Sequence, residues 1–402
     1  MRRGTHIFLA AALFCAASQL SAQTEETSLF GSLQLIFFNQ KSHLMLNQAP
    51  PGGDIQLNEE RSSFAIQQMD LFLQKQIGQD FTAFVDLEYQ LNYSSEHRWG
   101  SFSIQEAWLH YAVSDQFGFK IGMLYPAFNN LNEIKNRLAL LPYIFRPGVY
   151  ERLLSRIFLS EDYLPERAFV QLHGGIPLGD VFFDYAVYTG NAEGSYISHA
   201  DENDAPVNDH NSRFEFMTGV DPTEFDLKLF GGRIGIRARD EQFKAGVSFT
   251  HDYDNLRDTT RYPQIYQGPR APLRGDARRM RLGGDVSGRV GPVRFEAEAI
   301  KVFYDYDAAE RAGVDLDLDF FYAMAGYSFT DALFVYGSYE GGAAVFGKRW
   351  THRTVTAGAA YQFNAFVTAK AQYIIYKQFL DEALQTDEAT LRFVFLGLSL
   401  VL

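Results

Sequence analysis

From residue 29 to its end this chain repeats one pattern, short runs in which apolar and polar side chains alternate residue by residue. In FTAFVDLEYQLNY the residues Phe81, Ala83, Val85, Leu87, Tyr89 and Leu91 fall on one face, and Asp86, Glu88 and Gln90 on the other. In VRFEAEAIKVF the apolar set is Val293, Phe295, Ala297 and Ala299 against Arg294, Glu296 and Glu298. In AFVTAKAQYIIY it is Val367, Ala369, Ala371, Tyr373 and Ile375 against Thr368, Lys370 and Gln372. A period of two is that of a β-strand with one face out of water. Such segments fall near residues 29–39, 62–75, 80–93, 101–113, 117–125, 167–176, 180–190, 227–239, 242–251, 277–290, 292–304, 315–329, 332–343, 352–363, 365–378 and 389–402, sixteen in all. Their connections alternate between short (IGQD, SDQ, IPLGD, RDEQ, RVGP, FTDA, QFNA) and longer, the longest about forty residues.

An apolar face on every strand needs a hydrophobic surrounding, and the charged face needs water. A soluble β-sandwich also alternates, but the strict short and long rhythm fits a closed barrel whose apolar face meets lipid. A Lys or Arg at the bilayer midplane costs about 2–4 kcal/mol, so the charges must line a lumen. The expected fold is all-β, a transmembrane antiparallel β-barrel of about 16 strands enclosing water, with both chain ends on the periplasmic side. Residues 1–22 read as a secretory signal peptide: Arg2 and Arg3, an apolar run from Ile7 to Ala17, then Ser21 and Ala22. Residues 23–402 are then one barrel domain in the outer membrane of a Gram-negative-type bacterium. The one cysteine, Cys15, lies in that leader, so no disulfide framework is expected. No stretch approaches the roughly 18 apolar residues of a membrane helix, whereas 15% aromatic residues and 33 glycines suit alternating strands. A net charge of −13 argues against a nucleic-acid partner.

The longest connection follows the fifth segment, and loops of that length are usually functional. Its NLNEIKNRLALL stretch is predicted as a short helix, capped by Asn132 and ended by Pro142, with Leu131, Ile134, Leu138 and Leu141 as an apolar stripe. A stripe packed on the barrel wall leaves Glu133 and Arg137 toward water, so the loop is expected to fold inward and constrict the pore. Arg146, Arg152 and Arg156, with Glu151 among them, are anion-ligand candidates, since a guanidinium offers oxyanions a fixed fork of donors. The alternative is that they pair with Glu151, Glu161 and Asp162 and hold the loop in place. The second to fourth segments turn Asp70, Asp86, Glu88 and Glu106 inward, and the eighth to tenth turn Arg233, Arg237, Lys244, Arg279 and Arg281 inward. Opposed acidic and basic walls set a transverse field; the alternative is charges that solvate the wall and pair across strands. Asp201, Glu202, Asp204 and Asp209 in HADENDAPVNDH match no calcium-loop spacing. His97, His110 and His173 form no nucleophile and base pattern. No catalytic residue, cofactor or metal site is expected. The last segment alternates as a closing strand but ends in Leu402 instead of an aromatic residue.

The hairpin before the long loop carries a resemblance. In IQEAWLHYAVSDQFGFKIGMLYPAFNNLNEI, the residues Glu106, Ala107, Trp108, Leu109 and Tyr111 form an acidic-Ala-aromatic-Leu-x-Tyr strand; Gly122, Pro126 and Phe128 form a Gly-x-x-x-Pro-x-Phe motif. Over about thirty residues this resembles the phosphate-selective porin O and P family, where these motifs lead into the constriction loop. That family often has a lysine just before the proline, where this chain has Tyr125, so phosphate selectivity does not follow from the motif. The resemblance implies a homotrimer. The expected function is passive diffusion of small hydrophilic solutes and ions, with a preference for inorganic anions near the third loop. The expected surroundings are outer-membrane lipid and lipopolysaccharide. Two rivals remain: a phosphate- or oxyanion-specific channel, and a non-conducting barrel serving as adhesin or scaffold.

Overall fold

The computed structural model describes residues 27–46, 55–90, 101–114, 116–151, 163–165, 167–191, 228–238, 242–255, 276–305, 317–345, 349–380 and 388–402. The expected signal peptide, Arg152, Arg156, Glu161, Asp162, His97 and the acidic fourth loop lie outside them.

Sixteen strands follow one another: β1 (Thr27–Leu46), β2 (Ile55–Ile77), β3 (Phe81–Gln90), β4 (Ser101–Ser114), β5 (Phe117–Leu124), β6 (Ala168–Leu178), β7 (Val181–Asn191), β8 (Lys228–Ala238), β9 (Phe243–Asn255), β10 (Asp276–Val290), β11 (Val293–Asp305), β12 (Leu318–Ser328), β13 (Leu333–Val345), β14 (Arg349–Gln362), β15 (Val367–Leu380) and β16 (Glu388–Val401). Each is hydrogen-bonded antiparallel to its sequence neighbours, and β16 closes on β1 from Ser32 opposite Val401 to Met45 opposite Glu388. The expected barrel and its strand count are therefore observed. Several strands outrun their alternating segments, β1 and β2 most, because the backbone ladder continues past the level where lipid demands an apolar face. Three short turns place glycine at positive φ, Gly78 (65°), Gly179 (66°) and Gly291 (57°), as tight hairpin turns of this twist require.

The exterior is apolar, with Ile234, Val247, Val355 and Leu396 each more than half exposed. At the short-turn end exposed Tyr327, Phe329, Tyr361, Phe363 and Phe366 form part of an aromatic girdle. The hydrophobic core lies inside the barrel. Here one expectation is corrected, because the lumen wall is not uniformly polar. Toward the long-loop end β11 and β12 turn Ile300, Val302, Tyr304, Leu318, Phe320 and Tyr322 inward, all buried. The physical reason is a partner, since the third loop presses its own Phe128, Leu131, Leu138, Tyr143, Ile144 and Tyr150 into the same cluster.

Candidate functional site

The lumen and the loop that fills it form the candidate site. The loop leaves β5 through Gly122, whose φ is 129°; a Cβ there would stand 2.2 Å from the Ala107 carbonyl oxygen, so only glycine fits. The register with β6 shifts between Ile121 and Leu124, and the chain turns inward. Tyr125 fixes that turn. Its N–H donates to Glu106 Oε1 at 3.4 Å and its hydroxyl to Gln105 Oε1 at 2.5 Å. Phe128 and Asn129 then lie against β10 at Gly283, where a Cβ would meet the Asn129 side chain at 2.2 Å. Asn129 takes a left-handed φ of 53°, a conformation that asparagine tolerates, and its N–H donates to Ser248 Oγ on β9 at 3.0 Å.

From there the loop crosses the barrel, and inward polar side chains take hold of its backbone. Glu298 on β11 accepts the N–H groups of Asn130 (3.0 Å) and Leu131 (2.8 Å) and the Tyr150 hydroxyl. Lys370 on β15 donates to the carbonyls of Leu138 (2.9 Å), Ala139 (3.3 Å) and Tyr143 (3.2 Å), and to Gln34 Oε1 on β1 (2.9 Å). Gln372 accepts from Ile144 and Phe145 N–H at 2.9 and 2.7 Å and donates back to the Phe145 carbonyl. Glu340 on β13 accepts from Gly148 N–H at 2.8 Å.

Two β-bulges supply further grips. An extra residue in β2 at Gln67 and one in β4 at Gln105 break the strict alternation, so consecutive polar residues are buried inward. Gln67 and Gln68 thereby donate to the carbonyls of Ile144 (2.7 Å) and Asn136 (2.5 Å).

The expected helix is corrected to a chain of tighter turns. The N–H groups of Ile134, Arg137, Leu140 and Leu141 each bond the carbonyl three residues back, and only Leu138–Leu140 forms a 3-10 helix. A segment this short is a marginal α-helix, and the wall claims the carbonyls of Asn136, Leu138 and Ala139 instead. Asn132 does not cap it; its amide donates to the carbonyls of Pro126 and Pro165, tying the start of the loop to its end. Leu131, Leu138 and Leu141 are buried, while Glu133 and Arg137 are exposed.

The charged residues also occupy different settings from those expected. Arg146 is buried; it pairs with Glu151 at 3.4 Å and donates to the Lys135 carbonyl at 2.5 Å, which makes it a brace within the loop. The arginines of the basic wall face carboxylates of neighbouring strands. Arg279 and Arg281, fully buried, converge on Asp252 at 2.6 and 3.1 Å; Arg233 grips Asp285 at 2.7 and 3.1 Å, and Arg237 meets Asp184 at 3.0 Å. Lys244 is half-buried beside Arg237. The acidic residues Asp70, Asp86 and Glu88 are buried and Glu106 half-buried, and Gln68 links Asp70 to Asn136 of the loop. The loop covers the acidic side, and aspartates neutralise much of the basic one.

Sequence reasoning missed Lys370, Gln372, Glu298, Glu340 and the paired glutamines as loop anchors. A signal was present, since each is an inward polar position toward the middle of a strand, where the loop must cross.

A closed sixteen-stranded barrel, apolar outside and packed within by an infolded loop, is a porin-like outer-membrane β-barrel. No protein-family model matches the chain, and no curated protein matches its sequence, so the family resemblance stands on its thirty residues alone. The fold is similar to that of an anion-selective porin from Comamonas acidovorans, at a TM-score of 0.55 and 11% identity over 94% of this chain and 100% of that one. It is similar as well to the outer membrane channel DcaP of Acinetobacter baumannii, at 0.55 and 11% over 95% and 99%. Outer-membrane expressed OmpT of Vibrio cholerae gives 0.53 and 10% over 95% and 99%. At these identities the likeness is one of fold.

Proposed function

We propose that this chain is an outer-membrane porin for passive diffusion of small hydrophilic solutes and ions, its bore set by the third loop, with a mild preference for inorganic anions. The observation that carries the reading is the loop's two-sidedness: past its entry against β9 and β10, one side is bonded to β1, β2, β11, β13 and β15, and the other leaves Glu133 and Arg137 exposed. Across from them stand Arg233, Arg237, Asp184 and Asp285 on the β7 to β10 wall, with Lys120 and Lys244 nearer the short turns. With Glu106 facing Lys120 and Arg137, and Asp86 facing Arg137, cations and carboxylates are nearly balanced there, so the anion preference is weak and rests on Arg137 being exposed and Arg237 and Lys120 only partly buried.

The test is a planar-bilayer recording of the purified barrel under a salt gradient. Steady ion current with a reversal potential on the anion side is expected. Absence of current favours the scaffold reading, and saturable block by millimolar phosphate favours the oxyanion-specific one. A homotrimer belongs to the same proposal and is checked by the mass of the detergent-solubilised protein. The leader at residues 1–22 is checked by the N-terminal residue of the exported chain.

A further inference from the structure

Charges on the barrel exterior are unevenly distributed. Four cations on four adjacent strands point outward at one level: Arg353 on β14, Lys377 on β15, Arg392 on β16 and Lys41 on β1, all exposed. Arg353 stands directly opposite Lys377, and Arg392 directly opposite Lys41. Their chain neighbours His352, Thr354, Tyr376 and Phe393 are buried inward, which fixes the outward direction of the cations. Lys41 is bridged to Glu60 at 3.2 Å and Lys377 has a partner as well, so the two arginines, Arg353 and Arg392, are the cations of this row that no described carboxylate bridges. Elsewhere the exterior mixes signs, with Lys301 4.0 Å from Asp319 and Arg278 opposite Asp305.

The level of the row is informative. Arg353 lies ten residues along its strand from girdle residue Phe363, and Arg392 ten from Leu402. Ten residues at about 3.4 Å each, tilted by about 40°, rise roughly 26 Å, close to the ~25 Å height of an outer-membrane apolar band. Between the row and the girdle the outward positions include Val355, Tyr373, Val394 and Leu396. The cations therefore stand where hydrocarbon gives way to headgroups at the long-loop end. Across four strands the row spans roughly 14 Å.

We propose that this row is a binding site for the phosphorylated glycolipid headgroup of the outer leaflet, a lipopolysaccharide whose phosphates bridge β14, β15, β16 and β1. Charge complementarity selects that occupant, and guanidinium groups bind phosphate oxygens bidentately. A second copy of the chain suits the row poorly, because its cations find no acidic patch on the described exterior. The site rests on the membrane placement of the barrel and not on conduction, so its failure and the failure of the porin reading separate.

The experiment compares full-length barrel with the variant Lys41→Gln, Arg353→Gln, Lys377→Gln, Arg392→Gln, both in detergent, titrated with lipopolysaccharide and with its dephosphorylated form. The intact protein is expected to bind the phosphorylated lipid more tightly than the variant by roughly 25- to 600-fold, since each basic residue near an anionic surface contributes roughly fivefold and two of the four are already partnered. The dephosphorylated lipid is expected to bind both alike and weakly. Unchanged heat-modifiable migration and conductance of the variant show that its barrel is folded. Equal affinity of the two proteins for lipopolysaccharide, equal affinity of the intact protein for both lipids, or a change of oligomeric state in place of lipid binding each overturns the proposal.

Discussion

Replacing Lys370 by methionine tests how the loop is held. The substitution keeps an unbranched side chain of similar length and removes an ammonium whose donors reach three loop carbonyls and Gln34 at 2.9 to 3.3 Å. A hydrogen bond from a charged group contributes about 1.5–3 kcal/mol net. One ammonium shared among four acceptors does not give four full contributions, so the loss falling on loop docking is about 2–4 kcal/mol. At 1.4 kcal/mol per factor of ten, the released population of the loop rises on the order of 30- to 1,000-fold. The strands themselves lose no ladder bond, so the barrel should still insert and migrate as a folded species. Single-channel recording should then show brief high-conductance excursions and greater open-channel noise than the parent protein. A folded Lys370→Met barrel with the parent's conductance histogram and noise would refute the claim that this lysine secures the loop.

Shortening the loop between Asn132 and Glu151 should raise single-channel conductance and weaken ion selectivity, and a folded barrel that conducts as before would place the constriction elsewhere. Gly122→Ala forces a side chain to within 2.2 Å of the Ala107 carbonyl at a φ of 129° and should sharply lower folded yield; Gly284→Ala, whose Cβ meets nothing within 4 Å, is the matched control. Replacing Arg279 and Arg281 together by glutamine strips the buried Asp252 of its cations and should cost about 3–5 kcal/mol in urea unfolding, with partial recovery on adding Asp252→Asn. Arg237→Gln, at a side chain 35% exposed, should move the reversal potential toward cations with little effect on unfolding; an unmoved potential would mean that the Arg237 and Asp184 pair is silent to the permeating ion.

The strands were legible because lipid enforces a period of two wherever it touches them, and the count of sixteen followed. The long third loop was equally plain from its length. Its anchoring was not, for two physical reasons. Alternation is a statement about the outer face, so the change of β12 to an apolar inner face at Leu318, Phe320 and Tyr322 lies hidden beneath an outer face that is also partly apolar, Phe321 and Ala323. Bulges escape the same reading, since the extra residues Gln67 and Gln105 shift the phase by one and look like ordinary polar positions. Alternation assigns Arg233, Arg279, Asp70 and Glu88 to the polar face, but their pairing depends on strand register, which composition does not fix.

The loop's hold on the seam bears on how the chain matures. Gln34 of β1 receives donors from Lys370 of β15 and from Ser399 of β16 and itself donates to Ile144, while the Phe145 ring stacks on Phe395 of β16. These partners lie up to 365 positions apart in the chain and become neighbours only when the first and last strands meet. Contacts of such separation form late, because the closure entropy of the intervening chain must be met first. The third loop thus has no complete seat until the sheet has joined, and its docking records that joining. Connectivity alone then places full docking of the loop after closure of the sheet, with no separate timing device.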